Sequence, residues 1–235
     1  MGINQFTSYT DAEFASIFLA PKPYDPDWEN VDDTVTVGTS IDWTTKGMVS
    51  PVKDQGRCGS CWAFSAVGTL ESFSLMKGKS VNLAEQQLVD CSRKYGNAGC
   101  GGGFNYQGLA YVKDHGITYT TNYPYVAHNQ GCKMDGGDFK ISSVSSTKGC
   151  PGVQTAIGSR PIGVSVDANN WSKYSSGIFS NCGKNLDHDV LLVGMTDDYW
   201  KIKNSWGKSW GESGFIRLAM GNTCGICQDK SPWPV

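Results

Sequence analysis

The chain has 235 residues, a formal net charge of −2, 39% hydrophobic and 18% charged residues, the profile of an ordinary globular protein. That length can bury a sizeable core, as one large domain or as two lobes. The balanced charge argues against a nucleic-acid groove or a basic membrane patch, and no apolar run nears the roughly 18 residues of a transmembrane helix. Nine cysteines are many for a reducing compartment. An odd count fits four bridges plus one reactive thiol in an oxidising one.

In chain order, the first residues lack the pattern of a signal peptide, and the Pro- and Asp-rich stretch Pro21 to Asp33 reads as linker. Next comes Gln55-Gly56-Arg57-Cys58-Gly59-Ser60-Cys61-Trp62. It leads into apolar positions Trp62, Ala63, Ala66, Val67, Leu70 and Phe73, which recur at steps of three and four and predict a helix ending near Gly78. Cys61 therefore falls at or just inside a helix N-terminus, where unpaired N–H groups and the helix dipole favour a thiolate over a thiol. Asn82-Leu83-Ala84-Glu85 has the form of a capping box opening a second helix to Cys91. Gly99 to Gly103 is a loop whose bare backbone can approach a ligand closely. A third helical run, Tyr106 to Lys113, ends at Gly116.

The texture then changes. Segments 161–166, 190–193, 199–203 and 215–218 are short, β-rich and punctuated by Gly and Asp. A helical half followed by a β half predicts an α+β protein with two lobes. No internal repeat or low-complexity tract interrupts it.

A reactive thiolate needs a proton acceptor and a third group to orient that acceptor. The chain has three histidines. His115 precedes Gly116 at a helix C-terminus, where a cation is favourable without catalysis, and His128 lies in a polar loop. His188 opens an apolar strand that can hold a ring rigidly, so it is the candidate partner of Cys61. The competing readings of Cys61 are half of a redox CxxC pair and a zinc ligand with Cys224-Gly225-Ile226-Cys227. The zinc pattern wants its two pairs about 15–20 residues apart, and a thioredoxin-like site wants a βαβ context; neither is met. No metal or organic cofactor is expected.

The run Cys58-Gly59-Ser60-Cys61-Trp62 is the signature of the papain and cathepsin group, whose partner His and Asn follow about 130–150 residues later. Here His188 lies 127 residues on (188 − 61) and Asn204, in Asn204-Ser205-Trp206-Gly207, lies 143 on (204 − 61). The chain thus resembles the papain family of cysteine proteases, in its cathepsin L-like branch, over nearly its whole length. The resemblance implies a helical left lobe (roughly 50–145) and an antiparallel β-barrel right lobe (roughly 146–225), with the active-site cleft between them. It implies a cysteine endopeptidase working through an acyl-enzyme on Cys61. His188 would form the ion pair with Cys61 and later protonate the leaving amine. Asn204 would fix the His188 ring and tautomer, Trp206 and Trp210 would shield that bond, and Gln55 would point its amide at the developing oxyanion. Without a histidine-bearing cleft cap of the cathepsin B kind, endopeptidase action is favoured over exopeptidase action. The rivals are a catalytically silent homologue that binds peptides and a CxxC oxidoreductase.

By the same resemblance Gly102 and Gly103 are backbone partners of an extended substrate. Phe104, Asn105, Ser165, Leu186 and Asp187 surround the pocket for P2, the residue two before the scissile bond, with Asp229 at its floor. A carboxylate there predicts acceptance of Arg beside Leu and Phe. Asp189 departs from the family, which usually has a small residue after the histidine; strand alternation points it away from His188, and if it turned inward it would raise the histidine's pKa. The family's bridges correspond to Cys58–Cys100, Cys91–Cys132 and Cys182–Cys224. Cys150 and Cys227 have no counterpart in that set and are expected to pair with each other, the alternative being two buried thiols. Asn170-Trp171-Ser172 is the single N-glycosylation sequon.

Residues 4–14, Asn-Gln-Phe…Thr-Asp-Ala-Glu-Phe, resemble the end of a cathepsin propeptide; the other reading is a plain N-terminal helix on the domain. Residues 1–38 are then the C-terminal part of a propeptide with its linker, and 39–235 the peptidase domain. Met1 is read as a truncation point, with the signal and most of the pro-region absent. The implied partners are protein and peptide substrates, the chain's own propeptide and cystatin-like inhibitors; the implied state is a monomer, lysosomal, vacuolar or secreted.

Overall fold

The computed structural model describes residues 2–38 and 40–235. The helix predicted after Cys61 runs from Cys61 to Met76. Thirteen of its sixteen residues are buried, so it is a central core helix and not an amphipathic surface one. We number helices and strands in chain order, which makes it α2. Helix α1, Asp11–Phe18, precedes it, as does the short strand β1, Ile41–Asp42. Helices α3 (Glu85–Cys91) and α4 (Asn105–His115) pack with α2 around Trp62, Leu70, Leu88, Leu109 and Val112. Gly116 closes α4 at φ 82°, a conformation that costs glycine little.

The predicted capping box at Asn82 does not form. Ala84 is the N-cap of α3 and makes no side-chain bond to the helix. The Glu85 carboxylate is drawn instead to Lys53 Nζ, 2.6 Å away, because a buried carboxylate gains more from a cation than from a backbone N–H.

The second lobe holds β2 (Val144–Thr147), α5 (Cys150–Ile157), β3 (Ile162–Val166) and β4 (Ile178–Phe179). It continues with β5 (His188–Met195), β6 (Tyr199–Lys203), β7 (Phe215–Ala219) and β8 (Ser231–Pro234). The main sheet has the order β1-β5-β6-β7-β4, with β3 also paired to β5. It is antiparallel except between β4 and β7, while β2 and β8 form a separate antiparallel pair. Every residue of β5 is buried, because α2 covers one face and the Trp200–Ile216 core the other. Two helical and β-rich cores thus meet along α2 and β5, and the first residues of those two elements, Cys61 and His188, come to the seam.

Four disulfides tie the lobes internally: Cys58–Cys100, Cys91–Cys132, Cys150–Cys227 and Cys182–Cys224. Each closes a loop of 41 to 77 residues and is worth about 2–5 kcal/mol.

Residues 2–22 run back over the seam. Phe6, Phe14, Phe18 and Leu19 are buried and join the core of the β lobe. Trp28, in a short 3-10 turn from Pro26 to Asn30, is buried as well.

Candidate active site

Cys61 is the free cysteine among the nine. Its neighbour in the CxxC run, Cys58, is bonded to Cys100, which removes the dithiol an oxidoreductase would need. No cluster of His, Cys, Asp or Glu capable of holding a metal ion occurs among the described residues.

His188 is fully buried, and its Nε2 lies 2.8 Å from Asn204 Oδ1. An amide oxygen only accepts, so Nε2 carries the proton and Nδ1 keeps a lone pair. That Nδ1 is buried without a hydrogen-bond partner. The Asp189 backbone N–H, next along the chain, interacts with the Cys61 sulfur, which places the sulfur beside the start of β5. Trp206 stacks on the imidazole at 4.7 Å between ring centroids and Trp171 meets it edge-on at 6.1 Å. These rings exclude water from the His188–Asn204 bond and strengthen it. Trp210 packs against Trp206 at 5.0 Å, one layer further out.

Gln55 is buried and locked by Ser205, whose Oγ donates to Gln55 Oε1 at 2.7 Å. The amide group is thereby fixed with Nε2 donating to Cys58 O at 2.9 Å and to Phe18 O at 3.2 Å. Ser205 is a positioning residue that the sequence did not single out; it is the Ser of Asn-Ser-Trp-Gly, and the motif was the available signal.

The remaining histidines are elsewhere. His115 ends α4, with Nδ1 3.2 Å from Asp135 and its ring stacked on Tyr111. His128 is exposed and bonds Val126 O.

The N-terminal segment fills the cleft. Ala20 N–H donates to Asp187 O at 2.8 Å and Lys22 N–H to Leu186 O at 2.9 Å, so residues 20–22 pair antiparallel with 186–187. Ala20 lies against Gly102, where a Cβ would stand 3.0 Å from the Ala20 methyl. The expected pocket residues meet Lys22. Its Nζ bonds Gly103 O at 3.3 Å and Asp189 at 3.1 Å, and sits 4.0 Å from the centre of the Phe104 ring. Ser165 Oγ donates to Asp189 Oδ1 at 2.7 Å and reaches Asp229 Oδ2 at 3.2 Å. Asn105 contributes its backbone N–H to Asp189 Oδ2 at 3.1 Å, while its side chain turns away to Ser65. The Asp187 carboxylate also points away, accepting from Ala168 N–H and Asn169 Nδ2; only its carbonyl faces the cleft. Asp189 follows the strand alternation away from His188 and enters this pocket, opposite Ser165 in the β3–β5 register.

With the segment seated, the central pair is neutral. Burial pushes the Cys61 thiol up to about 12, the nearby Asp189 charge adding to it, and burial holds His188 down to about 4. The thiolate–imidazolium pair expected from the helix dipole is thus absent from the covered form, because loss of water outweighs the dipole.

Residues 37–232 match the family described as papain family cysteine protease. The chain belongs to the papain family. It is 44% identical to cathepsin L 2 of Paramecium tetraurelia over 238 residues, covering 97% of this chain and 76% of that one. It is 42% identical to digestive cysteine proteinase 3 of Homarus americanus over 251 residues, covering 98% of this chain and 78% of the relative. Among solved structures, digestive procathepsin L 3 of the Tenebrio molitor larval midgut superposes with a TM-score of 0.86 at 35% identity, over 100% of this chain and 82% of that one. The Carica candamarcensis cysteine protease CMS1MS2 in complex with E-64 superposes at 0.78 and 38% identity, over 85% of this chain and 99% of its own. The papain-like fold and the class of enzyme follow: this is a cathepsin L-like, cysteine-type endopeptidase. No helix among the described residues is long and apolar enough to cross a membrane.

Proposed function

We propose that Cys61, His188, Asn204 and Gln55 are the catalytic set of this endopeptidase. The observation that carries it is the single free thiol, which opens α2, together with a buried histidine at the start of β5 whose Nε2 is tied to an asparagine. In the uncovered enzyme, His188 Nδ1 takes the thiol proton and Cys61 Sγ attacks the scissile carbonyl. Gln55 Nε2 and the Cys61 N–H stabilise the oxyanion. The imidazolium then protonates the leaving amine, and water releases the acyl group by the reverse proton path. Labelling with an epoxide or vinyl sulfone, followed by peptide mapping, is expected to find the adduct on Cys61 alone; a modified Cys elsewhere would falsify the assignment.

Residues 1–38 act as the end of a propeptide, and the peptidase domain occupies 39–235. The Phe18 carbonyl sits on the Gln55 amide, where the substrate's oxyanion would go, while Lys22, further toward the C-terminus, reaches the P2 pocket. A substrate places its P2 residue on the N-terminal side of that carbonyl, so the segment lies in the opposite direction and offers no correctly oriented bond for cleavage. The likeness to procathepsin extends over the whole chain, in keeping with a zymogen. Acid incubation should shorten the chain and raise activity; unchanged mass and activity would remove the zymogen reading.

The P2 pocket, with Asp229 beside Ser165, accepts Arg, and a cationic side chain there stands ahead of Leu and Phe. An Asp229→Ala variant should lower the Arg-to-Leu ratio modestly, by about two- to threefold, and equal losses on Leu substrates would end that assignment. Protein and peptide substrates, the chain's own propeptide and cystatin-like inhibitors are the partners, met by a monomer. Its four disulfides suit a lysosomal, vacuolar or secreted setting.

A further inference from the structure

We infer that Asp189, the residue following the catalytic histidine, is the principal P2 specificity determinant, and that the pocket it governs selects lysine. The inference rests on the proposed peptidase site and deepens it.

The pocket is occupied by the chain's own Lys22, and the ion pair is closed off from water. The Lys22 side chain is 3% exposed and that of Asp189 0%. Both carboxylate oxygens lie 3.1 Å from the ammonium. Each oxygen is also held by a neutral donor, Oδ1 by Ser165 Oγ and Oδ2 by the Asn105 N–H. Those two bonds fix the carboxylate in one orientation before any occupant arrives. With an apolar P2 side chain in place, that buried charge would have no counter-charge, which is costly. Leu and Phe are therefore the disfavoured occupants, not the default ones.

The shape of the polar shell selects among cations. An ammonium has three N–H donors on one atom. Here one meets Asp189, another meets Gly103 O at 3.3 Å, and the third faces the Phe104 ring at 4.0 Å. All partners converge on a single point. A planar guanidinium spreads five donors over a fork, a poorer match to partners that converge on one point. Asp229 stands behind, joined through Ser165 Oγ at 3.2 Å, with its other oxygen taken by the Lys230 N–H. It reinforces the negative potential without touching the ammonium.

The test compares fluorogenic dipeptides carrying Lys, Arg or Leu at P2 and a constant Arg at P1. They are assayed on the full chain after acid treatment, with active sites counted by titration with an irreversible epoxide. Lys is expected to exceed Leu in kcat/KM by about tenfold or more, and Arg by a few-fold. Asp189→Asn keeps the size of the side chain and should collapse the Lys-to-Leu ratio of kcat/KM by about tenfold or more, read within one titrated preparation. Asp229→Asn should shrink the preference only about two- to threefold. Asp189→Glu, which retains the charge, should keep lysine ahead of leucine and serves as the check on folding. An unchanged Lys-to-Leu ratio in Asp189→Asn, or a larger effect at Asp229, overturns the inference while the peptidase reading stands. Absence of epoxide titration together with absence of Leu cleavage overturns both.

Discussion

Residues 6–18 and residues 20–22 cover the same cleft and are held by opposite means. The first stretch is aromatic. Phe6 and Phe14 meet the Trp206 ring edge-on at 5.4 and 5.1 Å, and Trp206 in turn stacks on His188. The second stretch has no large apolar side chain and relies on two backbone bonds and a buried ion pair. Apolar contact grows with area and tolerates small displacements; the ion pair is worth little unless every partner is in place. The aromatic end therefore supplies most of the holding energy, and the polar end fixes register over Gln55 and the Asp189 carboxylate.

Phe14→Ala attacks the stronger end. Phe14 is 0% exposed, and truncating a buried Phe costs about 3–5 kcal/mol. Because that loss falls on the covered form, alkylation of Cys61 by iodoacetamide should accelerate by about a hundredfold or more. An unchanged rate would mean that the aromatic contacts do not restrain the segment.

Next in size is the response to acid. His188 is held down to about 4 from an ordinary 6.5 by burial, with the Lys22 charge contributing in the same direction. A depressed pKa stabilises the covered form above pH 6.5, and that contribution is lost as pH falls through about 4. The difference amounts to at most about 3 kcal/mol. In a Cys61→Ser chain, NMR of the ring should show it neutral down to about pH 4 with the segment in place, and titrating higher once the segment is removed. Titration near 6.5 in the covered chain would show that the cleft stays wet.

How much of this was legible in the sequence depended on range. The α2 period, the strands around β5 and β6 and the Cys–His–Asn spacing are local or motif-borne, and the structure brings Gln55, Cys61, His188 and Asn204 to one seam. Helix α5 was not legible, since Cys150-Pro151-Gly152 opens it with poor helix formers; the Cys150–Cys227 bridge and a bond from Cys150 N–H to Asp32 O place it instead. Strand β8 carries Pro232 and Pro234, which read as non-strand, and it survives as the partner of β2 alone. Asp189 was pointed the right way by alternation, yet its partner Lys22 lies 167 residues away in a stretch read as linker. No periodicity can report such a pair.

Lys22→Met tests the polar end at nearly constant side-chain length. It leaves the Asp189 charge buried with only its two neutral donors, a loss of about 1–3 kcal/mol. The Cys61 alkylation rate should rise roughly tenfold, less than in Phe14→Ala. A larger rise than Phe14→Ala gives would invert the division of labour between the two ends.

The smallest effect belongs to the start of α1, which presents Phe14 and Phe18 to the cleft. Thr10 is its N-cap, with Glu13 N–H donating to Thr10 Oγ1 at 3.2 Å and Thr10 N–H donating to the Glu13 carboxylate at 2.8 Å, a reciprocal capping box. The same bonds to Thr10 hold the Glu13 carboxyl below its ordinary value, so the box weakens if acid protonates that group. Thr10→Ala removes a cap worth about 1 kcal/mol, but part of that loss is absorbed by fraying of one exposed turn while Phe14 and Phe18 stay packed. Cys61 alkylation should therefore quicken only about two- to fivefold. A hundredfold rise would instead mean that helix formation, and not aromatic packing, limits how the segment is held.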